Sequence, residues 1–366
     1  MRVLQCTKRS VTLVAAACLA LTACGESGPE VPFNPTGTSG DIAAVSAAFD
    51  SPSFASFAWF SPLFDAALGG SPLVSASASA FNFRRATNGG ELRAAALRSA
   101  QRLGSLMPRI AHEAFSASSA AIPPEIAGKT FGYSDGSYVL TELPGAPANG
   151  VRFLIYAMNP VTFQPFEPLQ EAGYVQLTDV SGSTTQAARV IVVSEGTTHL
   201  DYTVSITATT SSGRVTVAGF VTDGNNRANF NLRSTVDESA GLTLLYTLDV
   251  PQRDVSIDLT MSMTGLEEQD ATIDIELGMN GPNGSISMSG TFGETGGTLT
   301  VRVNGNAYAT ITATGASEPT ITGADGQPLA DEDVAAMQDI FAITGDAFTS
   351  FDEMVAPVGF FLAPSE

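Results

Sequence analysis

This 366-residue chain has only two histidines and three cysteines, the residue types most often used for catalysis and metal binding. Its two histidines, His112 and His199, stand far apart. Zinc needs several ligands at close spacing, and neither histidine has such a partner, so each reads as a surface or packing residue. Asp223-Gly224-Asn225-Asn226 offers oxygen donors of the calcium-binding kind. It lacks the acidic residue at the distance an EF-hand requires, so it reads first as a hairpin turn. Asp258 and Asp274 are candidates for a carboxylate pair, but glycosidase chemistry needs two carboxylates facing each other in a cleft. The chain contains no Gly-x-Ser-x-Gly elbow, no Walker loop, no dinucleotide fingerprint and no His-Glu-x-x-His. The expectation is therefore no catalytic residues, no metal site and no cofactor. A hydrolase built on an unrecognised site would need two close carboxylates, or His199 beside an acid and a serine.

Cysteine leads elsewhere. Arg2, Lys8 and Arg9 give the chain a positive start, and the apolar run over 11–21 is too short to span a membrane as a stable helix. Leu21-Thr22-Ala23-Cys24 then sets an aliphatic residue and two small ones before a cysteine. This resembles the lipobox of bacterial lipoproteins; the resemblance covers the signal and nothing beyond it. It implies that residues 1–23 are a signal peptide and that Cys24 becomes the N-terminus. Cys24 would carry diacylglycerol and an N-acyl chain of the palmitate type. Two or three acyl chains anchor a protein stably where one does not. The implied location is the cell envelope. In a Gram-negative host, Gly25 rather than Asp after the cysteine favours the outer membrane. Cys6 and Cys18 would leave with the signal and Cys24 would be consumed. No thiol would remain for a disulfide, a metal or a nucleophile.

Processing also changes the charge. Loss of three basic residues leaves 14 against 37 acidic ones, taking the net charge from −20 to −23. Nucleic acid and anionic lipid surfaces are poor partners for so acidic a molecule.

The elements that would position a site centre on 129–315, expected as an antiparallel β region. Tyr202, Val204, Ile206 and Ala208 alternate with Thr and Ser. The beat returns at Phe230/Leu232, Leu242/Leu244/Tyr246/Leu248, Val255 through Met263 and Ile273 through Met279. It continues at Ile286/Met288, Leu299/Val301/Val303 and Ala307 through Ala313. Strict period two marks half-buried strands. Gly- and Asn-rich turns separate the runs at 223–226, 280–284, 293–297 and 304–306. Connections this short force antiparallel neighbours, and the simplest topology is a meander. Upstream, Asp135-Gly136 turns between Phe131/Tyr133 and Tyr138/Leu140, and Val151/Phe153/Ile155, 174–180 and 189–193 add strands. A loop over 159–173 carries Phe163 and Phe166 among three prolines, a composition suited to a pocket rim or to plugging the sheet edge.

Around the sheet, residues 24–40 read as the lipidated Cys24 with a flexible tether. Residues 41–128 read as a helical, aromatic-rich segment and linker. Asp41 is the expected N-cap, and a basic amphipathic helix is expected over 91–115. Residues 316–366 read as a helix opened by Asp331, Glu332 and Asp333, followed by an apolar tail from Pro357. Of 21 phenylalanines, 14 lie outside 129–315, so the flanking segments supply aromatic cover for a sheet of Val, Ile, Leu and Met. The fold class is α+β and β-dominated: a large antiparallel meander sheet, flat or curled into an open barrel, under N- and C-terminal helices. A lipid-embedded barrel would show aromatic girdles along its strands, and 255–315 holds only Phe292 and Tyr308.

Three functions fit this layout. The first is a non-enzymatic, membrane-anchored lipoprotein that holds a lipid or other apolar small molecule between sheet and helices. Its layout resembles, in outline, lipoprotein carriers of the bacterial periplasm. Met261, Met263, Met279 and Met288 would suit an adaptable apolar wall, with Phe163 and Phe166 at its mouth. The second is a structural or protein-interaction lipoprotein with a filled core. The third is the hydrolase. The membrane, through Cys24, is the partner common to the first two.

Overall fold

The structure is a computed structural model. It describes residues 33–49, 57, 121–135, 137–159, 165–208, 212–237, 241–265, 271–293, 295–314 and 319–362. The lipobox with Cys24, the expected helix over 91–115 with His112, and Phe163 lie outside the described residues.

The chain enters through helix α1 (Pro35–Phe49). A first group of strands follows: β1 (Lys129–Ser134), β2 (Ser137–Thr141), β3 (Gly150–Tyr156), β4 (Glu171–Asp179) and β5 (Gln186–Ser194). Next come β6 (Thr197–Ala208), β7 (Ser212–Thr222), β8 (Arg227–Asp237), β9 (Gly241–Val250) and β10 (Val255–Thr264). The set closes with β11 (Thr272–Gly281), β12 (Gly284–Gly293), β13 (Gly296–Val303), β14 (Asn306–Ala313) and β15 (Thr320–Gly323), then helix α2 (Asp331–Leu362). All fifteen strands belong to one sheet. From β3 to β15 each strand pairs with the next, and these pairs are antiparallel, as the short turns require. The meander is broken once: β1 pairs antiparallel with β2 but parallel with β3, so the hairpin β1–β2 sits outside β3. The sheet is not closed, since β2 and β15 stand at its two ends.

Turn chemistry sets the register. Asn304 (φ 48°) and Gly305 (φ 81°) both take positive φ, the requirement of a two-residue turn whose twist matches its strands. Because strands reverse at every turn, the sheet has two rims. The turns after β5, β7, β9, β11 and β13 and the loop after β3 lie on the first rim. The connections after β4, β6, β8, β10, β12 and β14 lie on the second.

Alternation sorts the two faces. On β10, Val255, Ile257, Leu259, Met261 and Met263 are 1–3 % exposed, while Asp258 between them is exposed. Five such side chains contribute on the order of 7–15 kcal/mol of burial, an upper figure because unfolded chains are themselves partly collapsed. The outer face carries Asp201, Arg233, Asp249, Asp274, Glu276 and Arg302. That is the reverse of a strand lattice facing lipid.

Several expectations are corrected. Helix α1 begins at Pro35, inside the segment expected as tether through Gly40. Its N-cap is Asn34, not Asp41. The Asn34 side-chain oxygen accepts the Gly37 N–H at 3.0 Å, and proline at the first helical position loses no needed donor. Strand β7 was not marked by alternation, because Gly219 interrupts Val215, Val217 and Val221. An added Cβ at Gly219 would collide with the Asp201 carbonyl and with Cα and Cβ of Tyr202, so the glycine permits the close approach of β7 to β6. Strand β15 falls in the region expected to be helix and tail, and α2 runs past Pro357 to Leu362, so most of the expected tail is helical.

Helix α2 packs against the inward face. Tyr202 donates to the Met354 carbonyl at 3.1 Å, and its ring meets Phe57 edge-on at 6.3 Å. Phe341 meets Phe292 of β12 at 6.4 Å. The expected aromatic cover is therefore present at both of these points.

Candidate functional site

The four methionines lie on the inward face of β10–β12, each in a different register row. Met261 stands opposite Leu244 and Ile275, Met263 opposite Leu242 and Ile273. Met279 stands opposite Ile257 and Ile286, and Met288 opposite Leu277 and Val301. They are 3, 2, 4 and 1 % exposed, respectively. A side chain lining a void wide enough for an acyl chain would expose area into it, so these four are packed against neighbours.

One polar group interrupts this wall. Ser234 of β8 stands opposite Val215 and Leu244 in the same register row as Met261. It is 1 % exposed, and its hydroxyl has no hydrogen-bond partner. A buried, unpaired hydroxyl costs about 1–3 kcal/mol. Its place is legible in sequence only through parity, since Phe230, Leu232, Ser234 and Val236 alternate along β8.

Phe166, expected at the mouth of an apolar pocket, lies between β3 and β4, six or more positions from β10–β12 in the sheet order. It is 36 % exposed on the loop joining β3 to β4 at the first rim, with Leu169 nearby at 41 %. The loop is tied down by Phe166 N–H to the Ala157 carbonyl at 3.1 Å and Ala157 N–H to the Gln170 carbonyl at 2.8 Å.

The chemistry-bearing residues are dispersed. His199 turns Nδ1 toward the Thr222 carbonyl at 3.2 Å, across β6 and β7. A carbonyl only accepts, so Nδ1 carries the proton and the ring is a cross-strand tie. Asp258 pairs in register with Gly278, and Asp274 sits four residues further along β11. Four residues of strand separate the two carboxylates by roughly 13 Å on an open face. Asp274 accepts from the Thr291 hydroxyl at 2.6 Å. Asp223 is occupied by its own turn. It accepts the Asn225 and Asn226 N–H groups, each at 2.7 Å, and the Asn226 amide at 3.2 Å. Partial burial pushes its carboxyl up, and these donors outweigh that, holding it below the usual range. Among the described residues no three His, Cys, Asp or Glu side chains group to hold a metal.

A polar cluster joins α1 to the first rim. The Asn34 amide donates to the Asn283 side-chain oxygen at 3.1 Å, and the Asn34 N–H to the Asn283 carbonyl at 3.1 Å. The Asn283 amide in turn donates to Asp41 at 2.6 Å, and Arg253 stands 3.9 Å from the other Asp41 oxygen. Phe33 meets Tyr308 edge-on at 5.2 Å. Burial, then a hydrogen bond to Asp333, pushes the Tyr308 phenol up to about 12. This cluster fixes where the chain enters the fold.

Among the described residues no helix is long and apolar enough to cross a membrane. No protein family, no curated protein and no solved structure matches this chain.

Proposed function

We propose that this chain is a non-enzymatic lipoprotein of the cell envelope, held to a membrane by lipid on Cys24 and acting through its outer surface. In a Gram-negative cell the outer membrane is the favoured location. The observation that carries the reading is the packing of the inward face: side chains on ten successive strands, from Leu177 on β4 to Val301 on β13, are almost wholly buried. A body filled in this way has its polar face, rims and edges left for work on other molecules. The proposal takes the sheet as curled toward an open barrel around α2. Support comes from that helix meeting both Tyr202 on β6 and Phe292 on β12. Sheets of this many strands coil rather than stay flat.

A second reading, an apolar ligand held inside, is favoured by the unpaired Ser234 hydroxyl, in the row of Met261 with Leu244 between them. A ligand bearing one acceptor or donor would satisfy that group.

The anchor is tested by expressing the full chain in a bacterial envelope and weighing the N-terminal peptide. Lipid mass on Cys24, with Cys24→Ser released from membranes, is expected. An unmodified Cys24, or a wild-type protein that fractionates as soluble, would overturn the reading.

A further inference from the structure

The point where the chain enters the fold orients the body. Eight residues separate Cys24 from Phe33. Whatever its conformation, the nine residue-to-residue steps from Cys24 to Phe33 span at most about 30–32 Å. Phe33 and Asn34 are docked at the first rim, against Tyr308 and the turn holding Asn283. A ten-residue strand such as β10 is roughly 33 Å long. An anchor at Cys24 therefore cannot reach past the second rim. It leaves the body either standing on the first rim or lying on its side.

Exposed apolar residues separate those two postures. Phe166 and Leu169 project from the first rim on a loop tied to the end of β3. The outer face that would touch lipid in the lying posture carries Asp201, Arg233, Asp258, Asp274 and Glu276. Burying such charges against headgroups without partners is costly. Leu140, Leu143 and Val180 are also exposed but lie toward the second rim, Val139 lies on the edge strand β2, and Leu245 stands alone on the outer face between Arg233 and Thr260.

We infer that the first rim faces the bilayer that holds Cys24, with Phe166 and Leu169 seated among its headgroups and the second rim presented to the surrounding compartment. The inference rests on the lipoprotein reading. Glu167 and Glu171 flank the loop, so the contact suits zwitterionic rather than anionic lipid.

The test uses full-length lipidated protein in phosphatidylcholine vesicles carrying a headgroup quencher. Fluorophores are placed singly through Ala307→Cys and Leu169→Cys at the first rim, and through Thr314→Cys and Leu143→Cys toward the second. The inference expects quenching at the first two positions and its loss at the other two. Equal quenching at all four, or the reverse order, would overturn it. Replacing Phe166 and Leu169 together by Asp is expected to reduce quenching at Ala307→Cys, and no change there would remove the loop from the contact. Weighing the N-terminal peptide in the same sample separates the causes. Absent lipid with no quenching anywhere defeats the lipoprotein reading itself. Lipid present with the wrong pattern defeats the orientation alone.

Discussion

Asp41 and Asn283, 242 residues apart in sequence, are joined by a 2.6 Å hydrogen bond that fastens the first helix to the turn between β11 and β12. The carboxylate is buried and Asn283 also pairs with the helix cap Asn34, so one turn residue holds both. Asp41→Ala leaves Asn283 and Arg253 without that acceptor. Hydrogen bonds to charged groups contribute about 1.5–3 kcal/mol, whereas the half-exposed Arg253 pair at 3.9 Å adds little. Denaturant titration should show a loss in that range for Asp41→Ala and a smaller one for Asp41→Asn, which keeps an acceptor. Equal and negligible losses would show that the helix is held elsewhere.

Gly219 and Gly37 test the packing in contrasting ways. At Gly219 an added Cβ would strike the Asp201 carbonyl and Tyr202, neither of which moves freely within a paired strand. Overpacking of this kind costs about 1–3 kcal/mol or more, and Gly219→Ala should lower the midpoint accordingly. At Gly37 the obstacles are the ends of the Asn283 and Asn34 side chains, which can rotate away. Gly37→Ala should therefore break the Asn34–Asn283–Asp41 chain without disturbing the sheet. Amide exchange that speeds up in α1 alone is the expected readout.

The period-two beat let the sequence announce the sheet, because one face had to be buried and the other wet. Val255 through Met263 show this most plainly, with every second side chain inward. Where the beat was broken for a packing reason, the strand was hidden: at Gly219 an inward side chain would strike the Asp201 carbonyl and Cα and Cβ of Tyr202 on β6. The start of α1 was legible in Asn34-Pro35 but was outweighed by the Gly, Ser and Thr composition around it. No local pattern could show β1 beside β3, since a parallel pairing is decided by what packs on the hairpin. The carboxylates Asp258 and Asp274 were legible as wet-face residues, but their separation awaited the register. Ser234 was legible only once its parity was known, and its missing partner only in three dimensions.

High pH should unfold the protein. Burial raises the phenol of Tyr202 well above its ordinary value, and raises Tyr138 likewise, with smaller contributions from Tyr156 and Tyr133. Tyr308 is pushed up from 10.0 to about 12, by burial first and then by Asp333. In each case the folded state holds its proton more tightly than the unfolded state. That stability is fully present below the unfolded value near 10 and is lost as pH rises toward 12 and beyond. The phenolate absorption band should rise together with the loss of β-sheet dichroism. Full phenolate formation with the sheet intact would contradict the burial of these tyrosines.

Ser234→Ala distinguishes a filled interior from an occupied one. If the hydroxyl is simply unpaired, its removal should leave stability unchanged or raise it by up to about 1 kcal/mol, since no partner is lost. Met288→Ala, by contrast, should cost about 2–5 kcal/mol through the cavity it leaves. A Ser234→Ala protein that is destabilised in cell-purified material but not after delipidation would instead show that a ligand had been bonded to the hydroxyl.

The most direct test of the packed body is native mass spectrometry of a soluble form beginning at Gly25, before and after incubation with phospholipid and fatty acids. The account predicts the mass of the bare chain in both spectra, with nothing released by organic extraction. A discrete additional mass, released as a lipid, would contradict the filled interior and make the chain a carrier.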